Sequence, residues 1–107
     1  MRIELNDGPM KSTPAFLTFI QERLAAALDR FGPRVAAVYV KVEDANGPRG
    51  GADKRCALRA RLHRGGYVMA REHDTDYYSA LDRAVGKLKL SLTREFDRTK
   101  RGVHRGR

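Results

Sequence analysis

The stretch Arg55-Cys56-Ala57-Leu58-Arg59-Ala60-Arg61-Leu62-His63-Arg64-Gly65-Gly66-Tyr67-Val68-Met69-Ala70-Arg71-Glu72 decides the fold. Its first half alternates at period two, so Cys56, Leu58, Ala60 and Leu62 share one face of a strand while Arg55, Arg59, Arg61 and His63 share the other. Gly65-Gly66 supplies two residues that reach positive φ without steric cost, which predicts a tight reversal and an antiparallel strand over Tyr67 to Glu72. Such a pair has one apolar face that needs a cover and one basic face that does not.

The flanking sequence supplies the cover. Downstream, Asp74-Thr75-Asp76 offers N-cap groups, and a helical period follows from Tyr77 to about Arg98. Turning each residue by about 100° collects Tyr78, Leu81, Val85, Leu88, Leu92 and Phe96 in one stripe and Arg83, Lys87, Arg94, Arg98 and Arg101 in the opposite one. Upstream, Val35 to Glu43 alternates, with Val38, Val40 and Val42 inward and Tyr39, Lys41 and Glu43 outward. The span from Asp44 to Lys54, with its glycines and proline, reads as a loop. Ser12-Thr13-Pro14 and Gly32-Pro33 frame a helix from about Ala15 to Phe31, whose Phe16, Ile20, Leu24, Ala27, Leu28 and Phe31 lie on one side. Arg2 to Asn6 alternates as a short first strand. The order β-α-β-β-β-α predicts a single α+β domain, a four-stranded sheet with two helices packed on one face. Residues 1–100 are expected to form the domain and 101–107 a basic flexible tail.

A chain of 107 residues has room for one modest core. Lys and Arg outnumber Asp and Glu 22 to 13, a net charge of +9, so the mean field attracts polyanions and nucleic acid is the default partner. No apolar run approaches the ~20 residues that cross a bilayer, and the first residues alternate instead of forming a signal-peptide core, so a soluble, cytoplasmic protein with no membrane partner is expected. Cys56 is the lone cysteine, cannot form an internal disulfide, and reads as a buried structural thiol in a reducing compartment.

Basic residues recur in separate elements: Arg83, Lys87, Arg94 and Arg98 on the second helix, Lys41 on the second strand, Arg59 and Arg61 on the third, and Lys100 and Arg101 leading into the tail, with no acid among residues 98–107. Like charges gathered on a small domain repel one another unless a polyanion relieves them. The arginine fork suits phosphate and can stack on bases, which favours RNA, and a membrane-surface helix would carry exposed Trp or Phe beside its charges. Leu90 interrupts the basic stripe, either as a tolerated exposed leucine or as an apolar contact for a sugar or partner protein. The loop Asn46-Gly47-Pro48-Arg49-Gly50-Gly51 fits a phosphate-binding nest and a plain hairpin loop equally well. Material for catalysis is thin. His63, His73 and His104 have no metal-ligand spacing with Cys56, and helix capping explains Asp74, Asp76 and Asp82, so no enzyme, metal, cofactor or small-molecule substrate is expected. A small sandwich enzyme of the acylphosphatase type would end on a strand, whereas this chain ends on a helix.

With that topology, Asp76-Tyr77-Tyr78-Ser79-Ala80-Leu81-Asp82 resembles the Asp-x-Tyr-x-Ala-apolar-Asp opening of the second helix in the ribosome hibernation-promoting and ribosome-associated inhibitor family. Thr13-Pro14-Ala15 and Arg23-Leu24 resemble its first helix, Gly65-Gly66 its hairpin and Lys87-Leu88 its second-helix basic segment. Val42-Glu43-Asp44, Asn46 to Gly51 and Asp53-Lys54-Arg55-Cys56 resemble a short, basic branch of it. The resemblance covers nearly the whole chain. It implies binding to the small ribosomal subunit and its rRNA, in the channel for messenger and transfer RNA, and inhibition of translation in resting or stressed cells. It adds Arg23 to the RNA-binding candidates and supports Lys87, Arg94 and Arg98. Leu90 stands where the family usually has arginine, the loop after the second strand is longer, and the C-terminal domain with which long members pair ribosomes has no counterpart here. A monomer is expected when free. Because the same family includes modulators of an alternative sigma factor, a protein-binding regulator is the alternative, with a free double-stranded RNA-binding module as a third.

Overall fold

The structure, a computed structural model, describes residues 1–6, 13–44 and 54–102, with side chains through residue 98. Strand β1 (Arg2–Asn6) leads to helix α1 (Pro14–Leu28), a 3-10 segment (Asp29–Arg34), strands β2 (Val35–Asp44), β3 (Lys54–Leu62) and β4 (Tyr67–Asp74), and helix α2 (Tyr77–Gly102). The sheet order follows the chain, β1-β2-β3-β4. The α1 crossover makes β1 parallel to β2, and the other pairs are antiparallel. The expected β-α-β-β-β-α domain is the one observed.

Each helix starts on a side-chain cap. Thr13 Oγ1 accepts from the Phe16 amide at 3.1 Å, and Pro14 occupies the first turn, where its missing N–H costs nothing. Asp76 accepts from the Ser79 amide at 2.8 Å and from its hydroxyl at 3.0 Å. These bonds, the backbone one foremost, favour the carboxylate and lower its pKa. Asp74, expected among the caps, belongs instead to the end of β4.

The core lies on one sheet face. Phe16, Ile20, Leu24 and Leu28 of α1 meet Leu81, Val85, Leu88 and Leu92 of α2 over Val38, Val40, Val42, Cys56, Leu58, Ala60 and Leu62. Both helices therefore cover the same side, and among the described residues no polar or charged side chain is buried. A register shift between Val35 and Ala37 marks a bulge that turns Val35 inward with Val38, although the two are three residues apart.

Four local expectations are refined. The first helix stops at Leu28, and the chain continues as a 3-10 turn to Arg34 because Gly32 adopts φ +57° ahead of Pro33; Phe31 still enters the core. At the hairpin, the Gly65 amide donates to the Leu62 carbonyl at 2.9 Å, so His63 and Arg64 are the turn centre. Gly65 and Gly66, at φ +106° and +87°, complete the reversal after it. Tyr77 packs against the core while Tyr78 stays at its margin, edge-on to Phe16 and Phe19. Finally, α2 continues past Arg98 to Gly102. The Asn46–Gly51 loop and residues 103–107 of the expected tail lie outside the described residues.

Cys56 is 1% exposed, and burial pushes its thiol up to about 12. Almost no thiolate exists at neutral pH, so the native protein is expected to resist a disulfide reagent and to react at its ordinary rate once unfolded in denaturant. Stopped-flow absorbance of the released chromophore checks this; rapid labelling of the native state would contradict it.

Candidate nucleic-acid interface

The candidate basic residues occupy two surfaces. Arg23, Arg83, Lys87, Arg94 and Arg98 are on the helical layer, whereas Lys41, Arg59 and Arg61 are on the face of the sheet turned away from it. The backbone of Lys100 and Arg101 lies in α2, but their side chains are outside the described residues.

On the helical layer the cations are exposed and mostly matched by carboxylates. Arg83 lies 3.4 Å from Glu72 and 4.0 Å from Asp74, and Lys87 lies 3.7 Å from Glu72 and donates to the Arg71 carbonyl at 3.4 Å. Arg98 pairs with Glu95, which also receives Arg64 at 2.6 Å. These contacts, Arg98 first, hold the Glu95 carboxyl below its usual range. Arg23 reaches Asp82 at 3.1 Å on the α1 side of α2, with its guanidinium 4.7 Å from the Phe19 ring centre. Exposed pairs of this kind contribute little to stability and exchange readily for phosphate. Leu90 is 50% exposed within the stripe. Glu72, at the β4 edge, competes for two of the stripe's cations. Replacing it by Gln frees two cations of an exposed partner and is expected to change stability little, which thermal melts check.

The outer sheet face is ordered in transverse rows set by register. Arg2, Ala37, Arg61 and Tyr67 form one, then Glu4, Tyr39, Arg59 and Met69, then Asn6, Lys41, Ala57 and Arg71, with Glu43, Arg55 and His73 beyond. Its cations are Arg2, Lys41, Arg55, Arg59, Arg61 and Arg71, against the carboxylates Glu4 and Glu43. The Arg59 guanidinium lies 5.0 Å from the Tyr39 ring centre and 4.7 Å from that of Tyr67. Arg61 Nε donates to the Tyr39 hydroxyl at 3.3 Å; this bond raises the pKa of Arg61 and, together with nearby Arg2, lowers that of the phenol. The sequence candidates do not include Arg2, Arg55 or Arg71, although alternation already puts Arg55 on the outward side of β3. Period-two parity along β4 would have placed Arg71 beside Tyr67 and Met69, but Arg2 needed the β1–β2 pairing.

Other conspicuous cations are structural. Arg34 lies 4.4 Å from the Phe96 ring centre and Arg64 5.7 Å from it, tying the C-terminal half of α2 to the hairpin and the 3-10 segment. Among the described residues no cluster of His, Cys, Asp or Glu could hold a metal, and no helix is long and apolar enough to cross a membrane.

Fold and surface together define a small α+β domain with a helical layer on one side and an open, cationic sheet on the other. The chain belongs to the sigma 54 modulation protein / S30EA ribosomal protein family, whose model matches residues 3–100. Among solved structures, the N-terminal domain of Thermus thermophilus Protein Y is similar at TM-score 0.72 and 29% identity, over 88% of this chain and 98% of that one. A ribosomal subunit interface protein from Coxiella burnetii shares the fold at TM-score 0.74 and 17% identity, over 91% of this chain and 99% of that one. No significant match is found among curated protein sequences.

Proposed function

We propose that this protein is a ribosome-associated translation inhibitor that binds the small ribosomal subunit through rRNA and holds it in a resting, hibernating state. The observation that carries this reading is the exposed stripe of Arg83, Lys87, Arg94 and Arg98 along α2. Family membership and the likeness to a ribosomal subunit interface protein support it. The protein acts in the cytoplasm by occupancy: its cations replace counterions on folded rRNA and keep messenger or transfer RNA from the same surface. No reaction is catalysed.

Binding dominated by phosphate contacts carries a steep salt dependence. With about six phosphates engaged, affinity for purified small subunits is expected to fall roughly 10³-fold or more between about 50 and 200 mM salt. Cosedimentation across that range tests it, and a salt-insensitive association would overturn it. Gradient fractionation of cell extract separates the alternatives. Ribosomal fractions support this reading, polymerase fractions would favour sigma-factor regulation, and neither would favour a free double-stranded RNA binder.

A further inference from the structure

The outer sheet face has a chemistry that phosphate binding alone does not require. Tyr67 is 51% exposed and Met69 52% exposed, side by side on a face that carries six cations. No described element of the chain covers them. Tyr39, Arg59 and Tyr67 form a diagonal line of flat groups across two register rows, with the guanidinium close to both rings. Arg59 touches both rings and Tyr39 also receives Arg61, which limits the freedom of these side chains, so less entropy remains to be lost when a further flat group docks. Next to this line, the small Ala57 forms the floor of a shallow groove between Lys41 on β2 and Arg71 on β4, and Arg55 lies on its rim.

Flat, partly apolar groups ordered on an open sheet and flanked by cations match one ligand chemistry, the unpaired nucleobase with its phosphate. A duplex offers phosphates but keeps its base faces stacked internally, so it would leave Tyr67 and Met69 uncovered. An acidic protein segment would satisfy the cations and make no use of the rings. We propose that this face is a second RNA-binding surface, specific for single-stranded RNA, in which the exposed ring of Tyr67, held in place by the Arg59 guanidinium, stacks on an unpaired base while Lys41, Arg55 and Arg71 hold the adjoining phosphates. It extends the RNA-binding reading above and rests on it for the biological setting. Because the helical stripe lies on the other side of the sheet, the domain then engages two RNA segments at once.

The test titrates the full chain with a short oligoadenylate and with a GC-rich RNA duplex of the same length, following Tyr67 ring resonances by NMR. Single-stranded RNA is expected to bind more tightly than duplex and to shift the Tyr67 ring protons upfield by stacking. Tyr67→Ala combined with Arg59→Ala is expected to weaken oligoadenylate binding by at least about tenfold, and Tyr67→Phe to retain it. Both sites are exposed, and circular dichroism verifies the fold. The Lys87→Ala, Arg94→Ala, Arg98→Ala variant is expected to keep oligoadenylate binding within a few fold while losing ribosome association, which separates this surface from the helical one. Failure of that variant to lose the ribosome would count against the helical stripe alone. No binding of oligoadenylate, equal binding of duplex, or wild-type binding by the Tyr67/Arg59 variant would each overturn the single-strand surface.

Discussion

Replacing Lys87, Arg94 and Arg98 together by Ala is expected to abolish small-subunit association while leaving the domain folded. All three side chains are on the solvent side of α2, opposite Leu81, Val85, Leu88 and Leu92, and none contributes to the core. Alanine has the highest helix propensity, so the backbone is not penalised. The lost pairs, Lys87 with Glu72 and Arg98 with Glu95, are exposed and contribute little to stability. Under the proposed function binding responds differently, because each cation would contribute to a summed interaction with phosphate. A charge-assisted contact is worth roughly tenfold or more in affinity, so three of them amount to about a thousandfold. The salt slope should also flatten by roughly one per lost phosphate contact. Replacing Glu22 and Asp29, exposed acids of the α1 region, is the matched control and should leave binding intact or slightly stronger. If the triple variant stays folded, still cosediments with small subunits and still inhibits translation in extract, α2 is only a solvated face.

How far the sequence anticipates this molecule depends on which physical signal is read. Period-two alternation in β2 and β3 and the apolar stripes of α1 and α2 reflect burial, which is the dominant energy, and they locate the core nearly residue by residue. Boundaries that depend on backbone geometry were less accessible. Gly32 and Pro33 signal a stop but do not say that the chain runs on as a 3-10 turn. Gly65-Gly66 signals a reversal but not that its centre precedes the glycines. For the site, charge sign alone pools cations that strand parity separates. Arg59 and Arg61 point away from the Cys56–Leu58–Ala60 face that the helices must cover, so they could never share a surface with Arg83 and Lys87. The carboxylates that partner the stripe were harder to foresee. Glu72 reaches Arg83 and Lys87 only because β4 lies along α2, a tertiary fact with no local signature.

Leu88→Ala is expected to be the most damaging single change among these, and Leu90→Ala, two residues away, nearly silent. Leu88 has no exposed surface and sits among the buried side chains that join α2 to the sheet, whereas Leu90 is 50% exposed in the basic stripe. Truncating a buried leucine removes its transfer energy and leaves a cavity that close-packed neighbours fill only in part, at a cost of about 2–5 kcal/mol. Against a total stability of about 5–15 kcal/mol for a domain of this kind, that is a large share. The midpoint of thermal unfolding should drop by about 15 °C. Leu90→Ala removes surface already half in water and gains helix propensity, so its effect on stability should stay within about 0.5 kcal/mol. Denaturant melts of the two variants check the contrast. Comparable destabilisation by both would mean that α2 is rotated from the orientation described. In that case Arg83, Lys87, Arg94 and Arg98 could not present one continuous face to RNA, so this pair of melts also tests the surface on which the proposed function depends.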